Sequence, residues 1–352
     1  MGTPNAAKNR DIVAIGGSTG AIGPLRSILS SLPQDIPAAI AVVLHVPAES
    51  TGIFTAIAST ETALPVKHAE DGEKLEHGTV YLAAPNHHFL VLDNKVRLGS
   101  GPRENLVRPA VDPLFRSAAL SYGSRAIGVI LSGMLNDGAS GLAAIKHCGG
   151  VALVQAPQGA VASEMPLAAL EASPVDGSFG VRELGAAIVE KVRERPGPQM
   201  PTPPEIALEV EIAAGSPLDS TELARIAKPS VFTCPDCGGV LSEIEKSKPP
   251  RFRCQVGHAY SGRVLLSQQE SQVDEAMRIA LRIIEERAAL VTRMGKDAAA
   301  VGRIGIAEMY EKRAAEYRAH AEIIRSTVLD RIQNRKSEAL AESEARSLRA
   351  SE

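Results

Sequence analysis

A serine between glycines, a histidine at the end of an apolar run and an aspartate in a glycine-flanked turn are the residues of this chain that could make and break an acyl bond. Ser18 lies in Gly16-Gly17-Ser18-Thr19-Gly20, directly after the β-branched run Ile12–Ile15. The pattern Gly-x-Ser-x-Gly fits a nucleophile elbow, in which glycines allow a tight strand-to-helix turn and leave the hydroxyl exposed at its apex. A hydroxyl so placed can attack a carbonyl while nearby backbone N–H groups hold the oxyanion. Many glycine-rich turns bind phosphate instead. Here there is no Gly-Lys-Ser/Thr, and the glycines at 16, 17, 20 and 23 do not give Gly-x-Gly-x-x-Gly. The next strand closes on His45 where a dinucleotide site would want an acid.

A serine nucleophile needs a base, and the base an orienting acid. His45 follows the run Ala39–Leu44. In a right-handed βαβ unit that strand lies beside the first, so His45 and Ser18 open on one edge of the sheet. The competing reading is a solvated loop histidine. Asp137 lies in Gly133-Met134-Leu135-Asn136-Asp137-Gly138, just after the apolar run Ala126–Leu131, and is the acid at the same edge. Its competing reading is a helix cap, and spacing alone does not decide between them. The chain order Ser, His, Asp differs from the Ser, Asp, His of α/β-hydrolases, so the elbow does not assign that family.

A second constellation is Cys234-Pro235-Asp236-Cys237 with Cys254 and His258, a Cys-x₂-Cys…Cys-x₃-His set. Three thiolates and an imidazole suit tetrahedral Zn²⁺, and four protein ligands make a closed, structural site. Cys148 stands apart beside Gly149-Gly150 and reads as a small buried residue. Lys246, Lys248, Arg251 and Arg253 form only a modest basic patch, read as a solvated face, and the module is expected to dock a protein or brace a domain rather than bind nucleic acid.

The elements that must carry these residues are legible in outline. Strand-like runs (Ile12–Ile15, Ala39–Leu44, Val80–Ala83, Ala126–Leu131, Val151–Gln155) alternate with helix-like segments beginning near Gly23, Gly52, Pro113, Ser140, Pro166 and Val181. Phe89–Leu92 and Lys95–Leu98, joined by Asp93-Asn94, read as a β-hairpin. The fold class is therefore α/β, a mostly parallel doubly wound sheet with helices on both faces, over residues 1–195. Such a segment is expected to fold alone. Residues 196–230 carry six prolines between Pro196 and Pro217 and read as an extended linker, with Ile206–Ile212 as a short strand or docking segment. A zinc-ribbon-like module follows over 231–262, then a helical hairpin over 263–333 and a charged, frayed tail over 334–352.

Composition narrows the class. The chain has 352 residues, a formal net charge of −3 and only 3% aromatics. That balance excludes a general electrostatic nucleic-acid binder. No apolar run is long enough to cross a bilayer. The polar segment Met1–Arg10 does not read as a signal peptide, so the expected location is cytoplasmic.

Taken together, Ile15-Gly16-Gly17-Ser18-Thr19-Gly20, Leu44-His45-Val46-Pro47 and Gly133–Gly138 resemble the catalytic domain of chemotaxis protein-glutamate methylesterases. Asp71-Gly72-Glu73, Val80–Pro85, Arg108–Phe115 and Ser163-Glu164-Met165-Pro166 are similar to its intervening blocks. The resemblance covers roughly residues 10–195 and implies Ser18 as nucleophile, His45 as general base and Asp137 as orienting acid. It implies no cofactor for catalysis. It places Thr19, Met134 and Arg108 at the oxyanion and substrate site, with the Met134 N–H as oxyanion donor, and makes His88 structural. The implied substrate is the glutamyl methyl ester of a methyl-accepting chemoreceptor helical bundle, with glutamine deamidation in some members. Other chemosensory proteins are expected partners of the C-terminal tail. The alternatives are a serine esterase or amidase acting on another protein, and a non-catalytic scaffold. Ala21, Leu135 and Val107 depart from the pattern, which usually has Gly, Gly and His there. Members of the family usually begin with a receiver domain, and this chain is expected to lack one.

Overall fold

A strand buried on both faces needs an unbroken apolar run, and β1 (Ile12–Gly17) has one. Ile12 and Ala14 face one layer of the core, Val13 and Ile15 the other. The computed structural model describes residues 9–45, 51–60, 62–245, 247 and 249–349. Val46 and Pro47 of the histidine motif, and Lys246 and Lys248 of the basic patch, lie outside the described residues. After β1 come α1 (Ile22–Ser31), β2 (Ala39–Leu44), α2 (Thr51–Thr60), β3 (Val66–His68) and β4 (Val80–Leu82). The hairpin β5 (His88–Leu92) and β6 (Lys95–Gly99) turns at Asp93 and Asn94, both with positive φ (50° and 61°), the conformation a two-residue hairpin favours. Then follow α3 (Val111–Tyr122), β7 (Ala126–Ile130), α4 (Ala139–His147), β8 (Val151–Gln155), α5 (Glu164–Ala172), β9 (Gly177–Phe179) and α6 (Val181–Arg193).

The sheet has the order β3-β4-β2-β1-β7-β8-β9, and every neighbouring pair is parallel. The α/β expectation holds, with two short edge strands, β3 and β9, added to the expected set. Leu25, Ile28 and Leu29 of α1 and Leu184 and Ile188 of α6 pack one face. Leu114 and Phe115 of α3, Ile145 of α4 and Met165 of α5 pack the other. From β1 the chain passes to one side through β2 and the edge strand β3, comes back to β4 between them, and then returns to β7 on the other side of β1. The strand order thus reverses between β1 and β7, where open α/β sheets form their binding crevice.

Residues 196–230 are not the extended linker their prolines suggest. They form α7 (Pro204–Ala214) and α8 (Ser220–Ile226), so Ile206–Ile212 is helix rather than strand. Pro204 sits in the first helical turn, where its missing N–H costs nothing, and Gly215 closes α7 with φ of 109°. Ile206, Val210 and Ile212 are buried. The backbone of α7 runs so close to β6 that a Cβ on Gly99 would lie 2.1 Å from the Ala213 carbonyl oxygen. An antiparallel sheet follows: β10 (Ala227–Thr233), β11 (Val240–Ile244), β12 (Arg251–Cys254) and β13 (Ala259–Ser261).

Arg251 and Arg253 are not a solvated basic face. Arg253 is fully buried, donating to Glu104 at 2.9 Å and to Glu209 of α7 at 3.0 Å. Arg251 reaches both oxygens of Glu209 at 2.9 and 3.0 Å, and Arg116 of α3 pairs with Glu104. Burial works against the charged forms of both carboxylates, but the arginines beside them hold Glu104 and Glu209 below the ordinary range. Residues Met1–Leu265 accordingly form one compact unit, and the module at 231–262 is part of it, not a separate body after a linker. A chain ending at residue 195 keeps Glu104 and Arg116 but loses Glu209 and Arg253. It is expected to unfold in urea about 3–5 kcal/mol more easily than the full chain, the usual result of breaking a buried ion pair. Equal stability would show that the fold does not need residues beyond 195.

The second unit, Leu266–Glu352, is the helical hairpin expected from the tail's periodicity. α9 (Gly262–Ala300) and α10 (Ile304–Arg349) flank a turn at Gly302, where φ is 75°. α10 continues to Arg349, through the charged stretch from Asn334 that was expected to fray. Ala288, Ala298, Ala314 and Ala321 are buried between the helices, and the Arg287 guanidinium lies 4.7 Å over the Tyr317 ring.

Candidate active site

Ser18 and Asp137 follow β1 and β7, which flank the reversal, and His45 follows β2, the strand next to β1. Ser18 follows β1, and its N–H donates to the Ser132 carbonyl beyond β7 at 2.9 Å. His45 follows β2, one position past the pairing of Leu44 with Gly17, and its N–H donates to the Gly17 carbonyl at 3.2 Å. Asp137 lies in the turn between β7 and α4. Its Oδ2 meets His45 Nε2 at 3.0 Å, with the Asp side chain 4% and the His side chain 17% exposed. That contact leaves Nδ1 as the nitrogen with which His45 can serve Ser18. No hydrogen bond joins Ser18 to His45 among the described residues, and such bonds often tighten only with substrate bound.

Asp137 is not a helix cap: Gly138 occupies that position, and no side chain caps α4. Its carboxylate accepts from four directions. Besides His45, the Val111 N–H donates to Oδ2 at 2.6 Å. Asn105 Nδ2 reaches Oδ1 at 3.1 Å, and the Asp112 N–H reaches it at 3.3 Å. Burial alone would raise the pKa of Asp137. The His45 hydrogen bond and charge, with the Val111 and Asn105 donors, more than offset it and hold the carboxyl below its usual value. Asp112 is the counterpart. Burial, reinforced by the Asp137 charge, pushes it up to about 7, against the pull of Arg116 and of the Gly141 N–H at 2.6 Å.

The two carboxyls have opposite effects on stability. Asp112 keeps its proton in the fold up to about pH 7 but loses it near pH 4 when unfolded, so its contribution falls as pH rises between those values. The depressed Asp137 contributes fully above about pH 4 and loses that contribution as pH falls through its folded value. Asp112→Asn is expected to remove the fall in stability between about pH 4 and 7 seen in denaturant titrations. An unchanged pH dependence would rule Asp112 out as its source.

The turn after β7 passes beside Ser18. The Gly133 N–H donates to the Ala162 carbonyl at 2.9 Å, and the Leu135 N–H to Glu164 Oε2 at 2.7 Å. The Met134 N–H between them makes no hydrogen bond among the described residues, and Met134 is 54% exposed. Gly133 is required for closeness: a Cβ there would sit 2.0 Å from Met165 Sδ and 3.0 Å from Ser18 Cβ. Ser132 braces the Ser18 turn, its Oγ donating to the Thr19 carbonyl at 2.7 Å and accepting from the Ala162 N–H at 2.9 Å. Thr19 is exposed beside Ser18.

Arg108 is placed differently. Its guanidinium donates to the Ser100 and Gly101 carbonyls at 3.0 and 2.7 Å and to Asn86 Oδ1 at 2.9 Å. Those contacts brace the loop after β6, and none goes to Ser18, His45 or Asp137 among the described residues. His88 is buried, with Nε2 2.8 Å from the Pro102 carbonyl, and burial lowers its pKa, as suits a structural residue. Sequence reasoning missed Asn105, Ser132 and Glu164. Their roles rest on contacts between distant segments, and although Glu164 lies in one of the family-like blocks, nothing local marks its bond to the Leu135 N–H.

The second constellation also assembles. Cys234, Cys237, Cys254 and His258 bring their ligand atoms within 4.8 Å of one another. Tetrahedral zinc, with Zn–S about 2.3 Å and Zn–N about 2.0–2.1 Å, requires sulfurs about 3.8 Å apart and sulfur–nitrogen separations of about 3.5 Å. Cys237 Sγ and Cys254 Sγ are 3.7 Å apart, and His258 Nδ1 is 3.5 Å from Cys254 Sγ and 3.8 Å from Cys234 Sγ. The donor set therefore fits a closed four-coordinate ion.

Comparison with known proteins bears on the same segment. Residues 13–188 match the family model described as CheB methylesterase. A protein-glutamate methylesterase/protein-glutamine glutaminase 1 of Oleidesulfovibrio alaskensis is 39% identical over 52% of this chain and 51% of its own length. A protein-glutamate methylesterase/protein-glutamine glutaminase of Methanosarcina barkeri is 40% identical over 45% of each chain. A putative member of the same description from Leptospira interrogans is 40% identical over 51% of this chain and 94% of its own length. The chain thus spans about half the length of the first two relatives and almost all of the third. The crystal structure of the Thermotoga maritima CheB methylesterase catalytic domain is 35% identical, with a TM-score of 0.49, over 51% of this chain and 97% of that one.

Proposed function

This chain belongs to the CheB methylesterase family, and on that footing we propose that it hydrolyses γ-methyl esters of glutamate side chains in methyl-accepting chemoreceptors. The observation that carries the proposal is the His45–Asp137 contact at 3.0 Å, held at the strand ends beside Ser18. His45 Nδ1 takes the hydroxyl proton as Ser18 Oγ attacks the ester carbon. The Met134 N–H donates a hydrogen bond to the developing oxyanion, a role worth about 10²–10³ in rate for one such group. Collapse of the tetrahedral intermediate expels methanol, which leaves with the proton from His45. Water, deprotonated by His45, then cleaves the acyl-enzyme and restores Ser18. Asp137 holds the imidazole in one tautomer and stabilises its cationic form. The same cycle on glutamine would release ammonia, in keeping with the second activity in the relatives' names. The reaction as drawn uses no cofactor.

A fluorophosphonate, which reacts with activated serines, is expected to add once per chain at Ser18. The adduct should fall at least about 10²-fold in rate in His45→Ala, the usual scale of general-base assistance. Mass spectrometry placing the adduct elsewhere would remove Ser18 from its role.

We further propose that Cys234, Cys237, Cys254 and His258 hold a structural zinc ion. Purified under reducing, chelator-free conditions, the protein is expected to carry about one zinc per chain. Elemental analysis showing no metal would reject the site. Thiols of this kind persist in a reducing compartment, which supports a cytoplasmic location. Among the described residues no helix is long and apolar enough to cross a membrane. The hairpin of α9 and α10 is the part of the chain we assign to contacts with other chemosensory proteins.

A further inference from the structure

The metal-ligand module and the serine site touch through two short routes, one ending at Asp137 and the other at its neighbours Asn136 and Leu135. On the first, Asn105 lies between them. Its N–H donates to the Ala259 carbonyl at 2.8 Å, and its Oδ1 accepts from the Ser261 N–H at 3.0 Å. Those are the ends of β13, the strand that begins one residue after His258. Its Nδ2 donates to Asp137 Oδ1 and to Asp112 Oδ2, both at 3.1 Å. Asn105 is buried and has φ of 50°, a conformation asparagine tolerates better than most residues.

On the second route, Ser261 Oγ donates to Asn136 Oδ1 at 2.6 Å, next to Asp137. Leu135, one residue earlier, has φ of 61°, where a branched side chain is strained. Its side chain packs on the apolar core that Cys234, Leu241, Phe252, Cys254 and Tyr260 form around the ligands. The strained turn is thus held by the module on one side, and the carboxylate by Asn105 on the other.

We infer that the Cys₃His module is part of the esterase site, positioning Asp137 through Asn105, Ser261 and Leu135, so that metal loading sets how well His45 is oriented. This rests on the proposed triad and metal site. Asn105 and Ser261 are positioning residues, since neither reaches Ser18 or the ester. Activity would then follow zinc occupancy, although the ion never meets substrate.

The test uses the full chain with three perturbations. Asn105→Gly keeps the left-handed backbone and deletes the amide, Ser261→Ala deletes the bond to Asn136 together with the acceptor of the Val264 N–H at 3.3 Å, and chelation removes the metal. The readouts are kcat and KM for methyl-ester hydrolysis, zinc content, and the downfield proton resonance of the His45–Asp137 hydrogen bond. Asn105→Gly and chelation are each expected to lower kcat about 10–100-fold, the usual scale for losing an outer-shell partner. KM should stay within about twofold and the resonance should move upfield or vanish, because the effect is on the acid and not on binding. Asn105→Gly should retain its zinc. Ser261→Ala should show the same pattern about several-fold more weakly than Asn105→Gly. A wild-type kcat and resonance after chelation, or in Asn105→Gly, would overturn the inference while leaving the triad in place. If a variant does not fold, chelation of the wild type decides. Absence of any methyl-ester hydrolysis in the zinc-loaded wild type would instead reject the underlying function, and the resonance would still report on Asp137.

Discussion

Ser18→Ala is expected to lower kcat for methanol release by about 10⁴-fold or more, with the fold and zinc content unchanged. The substitution removes only the atom that attacks. The Ser18 N–H still donates to Ser132, and the glycines at 16, 17 and 20 still set the turn. What remains should be the modest acceleration from binding and the Met134 N–H. Ser18→Ala combined with His45→Ala should be scarcely slower than Ser18→Ala alone, because the residues act as one unit. Rapid-quench measurement of methanol from a methylated receptor fragment checks both. Turnover within about tenfold of wild type in Ser18→Ala would mean that another nucleophile does the work.

The second large effect is on stability. Arg253→Met should destabilise the Met1–Leu265 unit by about 3–5 kcal/mol, because Glu104 and Glu209 stay buried with one cation fewer. Arg251 and Arg116 remain, but Arg253 hydrogen-bonds both carboxylates whereas Arg116 lies 3.9 Å from Glu209, and Arg253 also donates to the Gly257 carbonyl at 2.7 Å. On the common scale of about 2–4 °C per kcal/mol for units of this size, the melting temperature should fall by roughly 6–20 °C. Calorimetry on the full chain would show it. A change under about 1 kcal/mol would mean that the cluster is solvated or relaxes freely.

The catalytic half of the fold was legible because its signals are local. The run Ile12–Ile15 before Gly16-Gly17-Ser18 gives a buried strand and an elbow, and Ala39–Leu44 before His45 gives the neighbouring strand. The structure brings Ser18, His45 and Asp137 to the same edge of the sheet, and Cys234, Cys237, Cys254 and His258 to one point. What was not legible depends on pairs far apart in the chain. Six prolines suggested a linker, yet Pro203 and Pro204 begin α7, and Glu209 on that helix meets Arg116, Arg251 and Arg253. Nothing near Glu104 in sequence announces a partner 149 residues away. Arg108 lies in a motif that suggested substrate contact, whereas its guanidinium serves the loop after β6. Asn105 belongs to no motif at all, and its importance appears only when β13 and Asp137 are seen on either side of it. Leu135 stood out as a bulky residue where glycine is usual. The structure explains it by the apolar core of the ligand module, which covers a side chain that would otherwise lie strained in solvent.

The most direct measurement is the methanol released when the zinc-loaded full chain is mixed with a chemoreceptor cytoplasmic fragment carrying glutamyl methyl esters. The account expects multiple turnovers, with one new glutamate carboxylate for each methanol and no added cofactor. No methanol above the spontaneous rate, from protein whose Ser18 reacts normally with fluorophosphonate, would contradict the assignment of receptor methyl esters as its substrate.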